Sequence, residues 1–133
     1  MALLIGFALA LSVGAFARLV GWDRDRSFYP TVTVVIACLY CLFAVMGGST
    51  SALRVEIALA AAFVAAAVAG FRASLWIVVA ALAAHGILDA VHGEIVANPG
   101  VPPWWPAFCA TYDLVAAGFL AWLLASGRVP ARA

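Results

Sequence analysis

The sequence contains no lysine and few charges of either sign. All seven basic residues among the 133 are arginines, and six acidic residues leave a formal net charge of +1. Without lysine, the protein cannot form a Schiff base with a retinal-type or pyridoxal-type cofactor. A net charge this small also argues against nucleic-acid binding, which requires a basic face.

The sequence contains only three cysteines. Cys38, Cys41 and Cys109 all lie in apolar runs, so we expect buried thiols rather than a disulfide framework. Cys38 and Cys41 are spaced to share a soft metal ion on one helix, but only Cys109 remains as a third thiolate.

The sequence has no GxSxG nucleophile elbow, and serine and threonine are rare near the acidic residues. Hydrolysis through a serine nucleophile is therefore not expected.

Apolar residues dominate the composition. Hydrophobic residues make up 68% of the chain and charged residues 10%, whereas soluble domains average about 45–50% and about 25%. A helix needs about 20 apolar residues to cross a bilayer, and five runs reach that length, at residues 2–20, 31–47, 52–70, 73–96 and 107–126. We predict an all-α integral membrane protein with five transmembrane helices, forming a single domain over residues 1–133.

Turn-forming residues separate the five runs. Pro30 falls at the start of the second run, where a helix tolerates proline best. Residues 97–106 cannot continue a helix, because four of these ten residues are proline. The third run is the richest in alanine, and small residues let helices approach closely in lipid. We therefore expect the third helix to be packed centrally.

Arginine positions predict the orientation of the chain. With five spans, six of the seven arginines fall on one side and only Arg54 falls on the other. The six are Arg18, Arg24, Arg26, Arg72, Arg128 and Arg132. The positive-inside rule then places the C-terminus in the cytoplasm and the N-terminus outside. The predicted location is a cell membrane of the bacterial inner-membrane type.

Ionisable residues concentrate between Ala84 and Trp105. His85, Asp89 and His92 stand at positions i, i+4 and i+7, so a helix projects them from one stripe. At about 1.5 Å per residue, residues of three other spans reach the same depth in the outer third of the membrane. These residues are Tyr40, Glu56, Cys109, Tyr112 and Asp113.

A carboxylate in hydrocarbon costs on the order of 2.5–3.5 kcal/mol, so several at one depth must share partners. One interpretation is a polar network that ties the helices together. The other is a polar pocket open to the outer face. Glu94 is expected to point away from the stripe, because it follows His85 by nine residues and so falls on the opposite side of the helix.

The leading hypothesis is a pocket that binds a small hydrophobic or lipid-like molecule and transforms it by acid/base chemistry, as an isomerase or cyclase does. His85, Asp89 and Asp113 are the predicted catalytic groups. The HxxxD step of His85 and Asp89 is similar to the histidine and acid pairs of membrane isomerases of the sterol-isomerase type, over one helical turn. Whether the protein is an enzyme stays open. The predicted ligand contacts are Tyr40, Glu56, His92, Tyr112, Trp104 and Trp105.

Three alternatives remain. A divalent metal is the first, with His85, Asp89, His92 and Asp113 as candidate ligands, although the two histidines stand about 10.5 Å apart along the helix and do not readily share one ion. The others are a proton-coupled carrier and an accessory subunit of a membrane complex, either of which could be a homo-oligomer. No cofactor is required by the leading hypothesis. Trp104 and Trp105 are either interfacial anchors or a lid over the pocket.

Overall fold

The computed structural model describes residues 1–132, and the chain is helical over most of that length. Five helices and no strand form within those residues: α1 (Ala2–Val20), α2 (Phe28–Met46), α3 (Thr50–Arg72), α4 (Leu75–Ile95) and α5 (Trp105–Ala125). Each helix is long and apolar enough to cross a membrane. The all-α prediction with five such helices is confirmed. The orientation of the termini and the single domain stay predictions, and the predicted domain's last residue, 133, lies outside the described residues.

Local sequence explains where the helices begin and end. Pro30 lies in the first turn of α2, which begins at Phe28, earlier than predicted. Ser49 caps α3, because its hydroxyl accepts a hydrogen bond from the Ala52 backbone N–H at 3.2 Å. Gly21 ends α1 in the left-handed conformation, with φ of 81°, where glycine carries no steric penalty.

Helices α4 and α5 form the centre of the bundle. Helix α5 packs against both α4 and α1, while α4 also contacts α3 and α2. Leu75, Val78 and Leu82 of α4 and Leu120 and Leu123 of α5 are fully buried in the main apolar core. Helix α3 contacts only α2 and α4 extensively. The expectation of a central α3 is therefore wrong: its small side chains permit close approach along one narrow stripe, but they provide little surface for packing on other sides.

The outer surface of the bundle is strongly apolar. Leu19 is 84% exposed, Leu4 74% and Ile87 62%, and many other large apolar side chains point outward in the same way. Water-exposed apolar patches of this extent are rare on soluble monomers. The surface is the one expected for helices in contact with lipid.

Buried polar contacts hold the end of the bundle where α1 joins α2. Arg18 forms an ion pair with the buried Asp23 at 3.3 Å. Arg26 has φ of 69° and donates to the Phe71 carbonyl at 2.9 Å and to the Pro130 carbonyl at 3.4 Å. The connection is thereby tied to the end of α3 and to the segment after α5.

Asp25 lies in the same connection and is fully exposed. Its Oδ1 accepts hydrogen bonds from the Ser27 hydroxyl at 2.8 Å and from the Ser27 backbone N–H at 3.1 Å. These two bonds stabilise the charged carboxylate and lower the pKa of Asp25 below its usual value. They order the chain immediately before α2 begins.

Candidate functional site

The bundle contains two groups of buried histidines and carboxylates, one near the middle of α4 and one closer to the end opposite the α1–α2 connection. Both groups are built on the stripe of α4 that the sequence predicts, where His85, Asp89 and His92 are each 1–2% exposed. Their spacing places them on the face of α4 that is turned toward its neighbours. Helix α5 lies beside the lower part of the stripe, and α3 beside the upper part. The two histidines therefore find different partners.

The first group, the His85 cluster, comprises His85, Asp89, Cys109 and Asp113. His85 Nδ1 lies 2.7 Å from Asp113 Oδ2 and 3.4 Å from Asp89 Oδ2. Cys109 precedes Asp113 by one helical turn on α5, so its sulfur enters the same space. One ligand atom from each of the four residues lies within 4.8 Å of the other three. All four side chains are buried.

Several carboxylate oxygens in the His85 cluster lack hydrogen bonds. Asp89 Oδ2 faces His85 Nδ1 at 3.4 Å without good hydrogen-bond geometry, and among the described residues Oδ1 of Asp89 and Oδ1 of Asp113 have no well-formed hydrogen bond. A buried polar atom without a partner costs about 1–3 kcal/mol, and more when it is charged. Two carboxylates also share one imidazole, so a proton or a cation is needed to balance their charge. The cluster is thus suited to holding a positive ion.

Aromatic and aliphatic side chains enclose the His85 cluster. Phe63 of α3 packs edge-on against the His85 ring with centroids 4.7 Å apart, and the Tyr40 ring lies 6.1 Å away. Toward the other end of α4, the next buried residues on the stripe are Ala81, Leu82 and Val78. Sequence reasoning overlooked Phe63, although it follows Glu56 by seven residues and so falls on the same face of α3.

The second group, the His92 cluster, comprises Tyr40, Glu56, His92 and Asn98. His92 Nε2 lies 2.9 Å from Glu56 Oε1. Asn98 donates to the same Glu56 oxygen at 2.8 Å and to the Tyr40 backbone carbonyl at 3.1 Å. The Tyr40 ring stacks on the His92 ring, with centroids 3.9 Å apart and planes tilted by 20°. Four elements, namely α2, α3, α4 and the connection after α4, therefore meet at this cluster.

Asn98 is a member that the sequence analysis missed. The sequence predicts a helix break at residues 97–106 and an anchor or lid role for Trp104 and Trp105, but it assigns no role to Asn98, the only asparagine in the chain. The connection folds back onto α2, where a Cβ atom at Gly100 would collide with the Phe43 carbonyl. Asn98 Oδ1 also accepts from the Gly100 N–H at 3.3 Å. The close approach that glycine permits here fixes Asn98 over Glu56.

Three predicted ligand contacts lie outside both clusters. Tyr112 lines an apolar groove of about 380 Å³ between α1, α2 and α5, and Cys109 lines the same groove. Trp105 packs against Phe43, with centroids 4.9 Å apart. Trp104 is 54% exposed. Trp105 thus lines the groove and packs on α2, and Trp104 packs on Trp105 and Phe108 rather than on the histidines.

The structure brings His85 and Asp89 of α4 together with Asp113 of α5 and adds Cys109 to them. It joins His92 to Glu56 and Tyr40 in a separate group. Glu94 is exposed, in keeping with its position away from the stripe. The chemical roles assigned to all these residues stay predictions.

Comparison with family models, with curated proteins and with solved structures finds no match to this chain. The function is therefore argued from the two clusters alone. They define a helical protein of membrane-spanning composition with a buried group of imidazole, carboxylate and thiol donors that could hold a metal ion.

Proposed function

We propose that the protein binds one divalent transition-metal ion, such as Zn²⁺, in the His85 cluster. The observation that carries the proposal is the convergence of four buried donor side chains around carboxylate oxygens that have no hydrogen-bond partner in the described residues. A divalent cation would satisfy these oxygens and offset the charge of both carboxylates. We therefore prefer a metal site to the pocket for a hydrophobic molecule, which is the leading hypothesis from the sequence.

The donor types favour zinc or a neighbouring transition metal. Zinc accepts imidazole nitrogen, carboxylate oxygen and thiolate sulfur, whereas Mg²⁺ and Ca²⁺ prefer oxygen ligands throughout. In a tetrahedral zinc site the donor atoms lie roughly 3.4 Å apart, given metal–ligand bonds of about 2.0–2.3 Å. The separations around His85 are 2.7 and 3.4 Å, and the largest in the cluster is within 4.8 Å. Small side-chain rotations would complete the geometry.

The proposed ligand set is His85, Asp89, Cys109 and Asp113. It differs from the set expected from the sequence in that Cys109 replaces His92. The contact of His92 with Glu56 at 2.9 Å, on the α3 side of the stripe, supports this replacement. Cys109 instead lies one turn from Asp113 on α5, which faces His85.

The surroundings favour retention of an ion over passage across the membrane. Below the cluster, the core residues Leu75, Val78, Leu82, Leu120 and Leu123 are fully buried. These five side chains offer an ion no ligand, and the buried oxygen-bearing side chains at that end, Asp23, Tyr29 and Thr33, lie on α2 and the connection before it. Four protein donors around one ion are also typical of closed zinc sites, which hold the metal rather than present an open position to a substrate.

The metal content of the purified protein tests this proposal. After dialysis of the detergent-solubilised full chain against Zn²⁺ and removal of loosely bound ions, elemental analysis should give about one Zn²⁺ per chain at pH 7. The content should fall as the pH is lowered, because protons compete with the metal for its ligands. Glu94→Gln, which removes an exposed carboxylate near the same end of α4, should retain the full content. A wild-type chain with no retained Zn²⁺ would refute the proposal.

The apolar groove favours a second function, binding of a small hydrophobic or lipid-like molecule. Its lining is almost entirely apolar, and it includes Cys109, whose sulfur also belongs to the His85 cluster. His85 lies between two carboxylates and could exchange a proton with a molecule placed beside Cys109. A chain that retains no metal but carries a stoichiometric apolar molecule through purification would favour this function.

A further inference from the structure

A surface cleft opens at the end of the bundle above the His92 cluster. It has a volume of about 490 Å³ and lies between the start of α3 and the connection after α4. If the helices cross a bilayer, this end lies at the water interface, because the connections lie outside the spans. The cleft is lined by Ser49, Gly93, Val96, Ala97, Asn98 and Pro99.

Asn98 separates this cleft from the buried charges. Its side chain lines the cleft and also donates to Glu56 Oε1 at 2.8 Å. Asn98 is partly exposed, whereas Glu56 and His92 beneath it are each 2% exposed. Movement of one amide side chain would therefore connect the cleft to a carboxylate and an imidazole nitrogen that lie 2.9 Å apart.

Tyr40 bridges the two histidine clusters. Its ring centroid is 3.9 Å from that of His92 and 6.1 Å from that of His85. Its hydroxyl is buried and has no hydrogen-bond partner in the described part of the chain. Seven residues of helix separate the histidines by about 10.5 Å, and the Tyr40 ring, which lies close to both, spans part of that distance.

We propose that the His92 cluster is a transfer site through which a divalent transition-metal ion reaches the His85 cluster, and that Asn98 gates it. The inference rests on the proposed metal site and adds its route of loading. Glu56 and His92 supply an oxygen and a nitrogen donor to the passing ion. On arrival the ion would replace the protons that balance Asp89 and Asp113, and the Cys109 thiol would also lose its proton to become a thiolate ligand; these protons would pass to water.

Loading kinetics test the route. Co²⁺ is mixed rapidly with the full-length protein in detergent, and the absorption change on thiolate ligation is followed. His92→Gln should slow both loading and release by about tenfold or more, an increase of about 1.4 kcal/mol in each barrier. Asn98→Ala should speed both, because the gate is removed. Glu94→Gln is the matched control at the same end of α4 and should load at the wild-type rate.

His92→Gln and Asn98→Ala are expected to change the loading rate in opposite directions, and this difference distinguishes a transfer route from a structural role. A merely structural role would lower the amount of Co²⁺ bound in both variants without speeding either step. The inference fails if Asn98→Ala and His92→Gln load at the wild-type rate, or if Asn98→Ala is slower. If His92→Gln does not fold, Asn98→Ala decides the outcome, since its side chain is partly exposed. A wild type that binds no Co²⁺ refutes the metal site itself, whereas a wild type that binds with unaltered variant rates refutes only the route.

Discussion

Replacing Asp113 by asparagine should lower the affinity of the protein for Zn²⁺ by about 100-fold or more. Even partners outside the ligand shell are worth about 10–100-fold in metal affinity, and Asp113 is proposed as a direct ligand. The carboxylate is fully buried, and its Oδ2 lies 2.7 Å from His85. Asparagine keeps the shape of the side chain but removes its charge, so the loss should appear in binding more than in folding. Competition with a chromophoric chelator measures the dissociation constant.

Glu94→Gln provides the control for this change. It also exchanges one carboxylate for an amide, but on the exposed side of α4. Its dissociation constant for Zn²⁺ should match that of the wild type. Equal affinities in Asp113→Asn and Glu94→Gln would show that Asp113 is not a ligand, even if the protein binds zinc elsewhere.

Replacing His92 by leucine should lower the free energy of unfolding by about 3–5 kcal/mol, because Glu56 is left buried without its cationic or hydrogen-bonding partner. Glu56→Leu should cost a similar amount. The two side chains are only 2% and 1% exposed, so water cannot replace either partner. The double variant should be more stable than the sum of the single costs predicts, since it removes both members of the pair. Unfolding in detergent, followed by circular dichroism, measures each value.

A double-mutant cycle of His92→Leu and Glu56→Leu measures the interaction energy between the two side chains. Additive costs within about 0.5 kcal/mol would show that His92 and Glu56 do not interact. Asn98 also donates to Glu56, at 2.8 Å. This hydrogen bond should therefore reduce, but not abolish, the loss of unfolding free energy in His92→Leu.

Composition and spacing predicted most of the helical framework. Five apolar runs became five helices with ends within three residues of the predicted bounds. The stripe of His85, Asp89 and His92 followed from helical periodicity alone, because periodicity depends only on local geometry. Depth estimates from the rise per residue also brought Glu56 to the level of His92, whereas Asp113 meets His85 near the middle of α4 rather than in the outer third.

The order of the helices around the bundle could not be predicted in this way. Rise per residue gives depth along a helix, but the choice of partner depends on which neighbour a face meets. Helix α4 lies between α5 and α3, so His85 receives Asp113 while His92 receives Glu56. Tyr112 was expected at the cluster by depth, and instead it faces the groove.

Cys109 and Asn98 show two different kinds of omission. Cys109 precedes Asp113 by four residues, so a face argument on α5 would have found it if thiols had not been assigned to the apolar core. Asn98 lies in a proline-rich connection without periodicity. Its place over Glu56 depends on the fold of the loop around Gly100, which is a tertiary contact.

X-ray absorption at the zinc edge, on the wild-type protein loaded with one Zn²⁺ per chain, tests the proposed metal centre most directly. The proposed site requires a four-coordinate ion with one sulfur ligand at about 2.3 Å, from Cys109, and nitrogen or oxygen ligands at about 2.0–2.2 Å, from His85, Asp89 and Asp113. The sulfur signal should disappear in Cys109→Ser. A zinc shell made only of oxygen or nitrogen ligands in the wild type, or a protein that retains no zinc to measure, would contradict the proposed site.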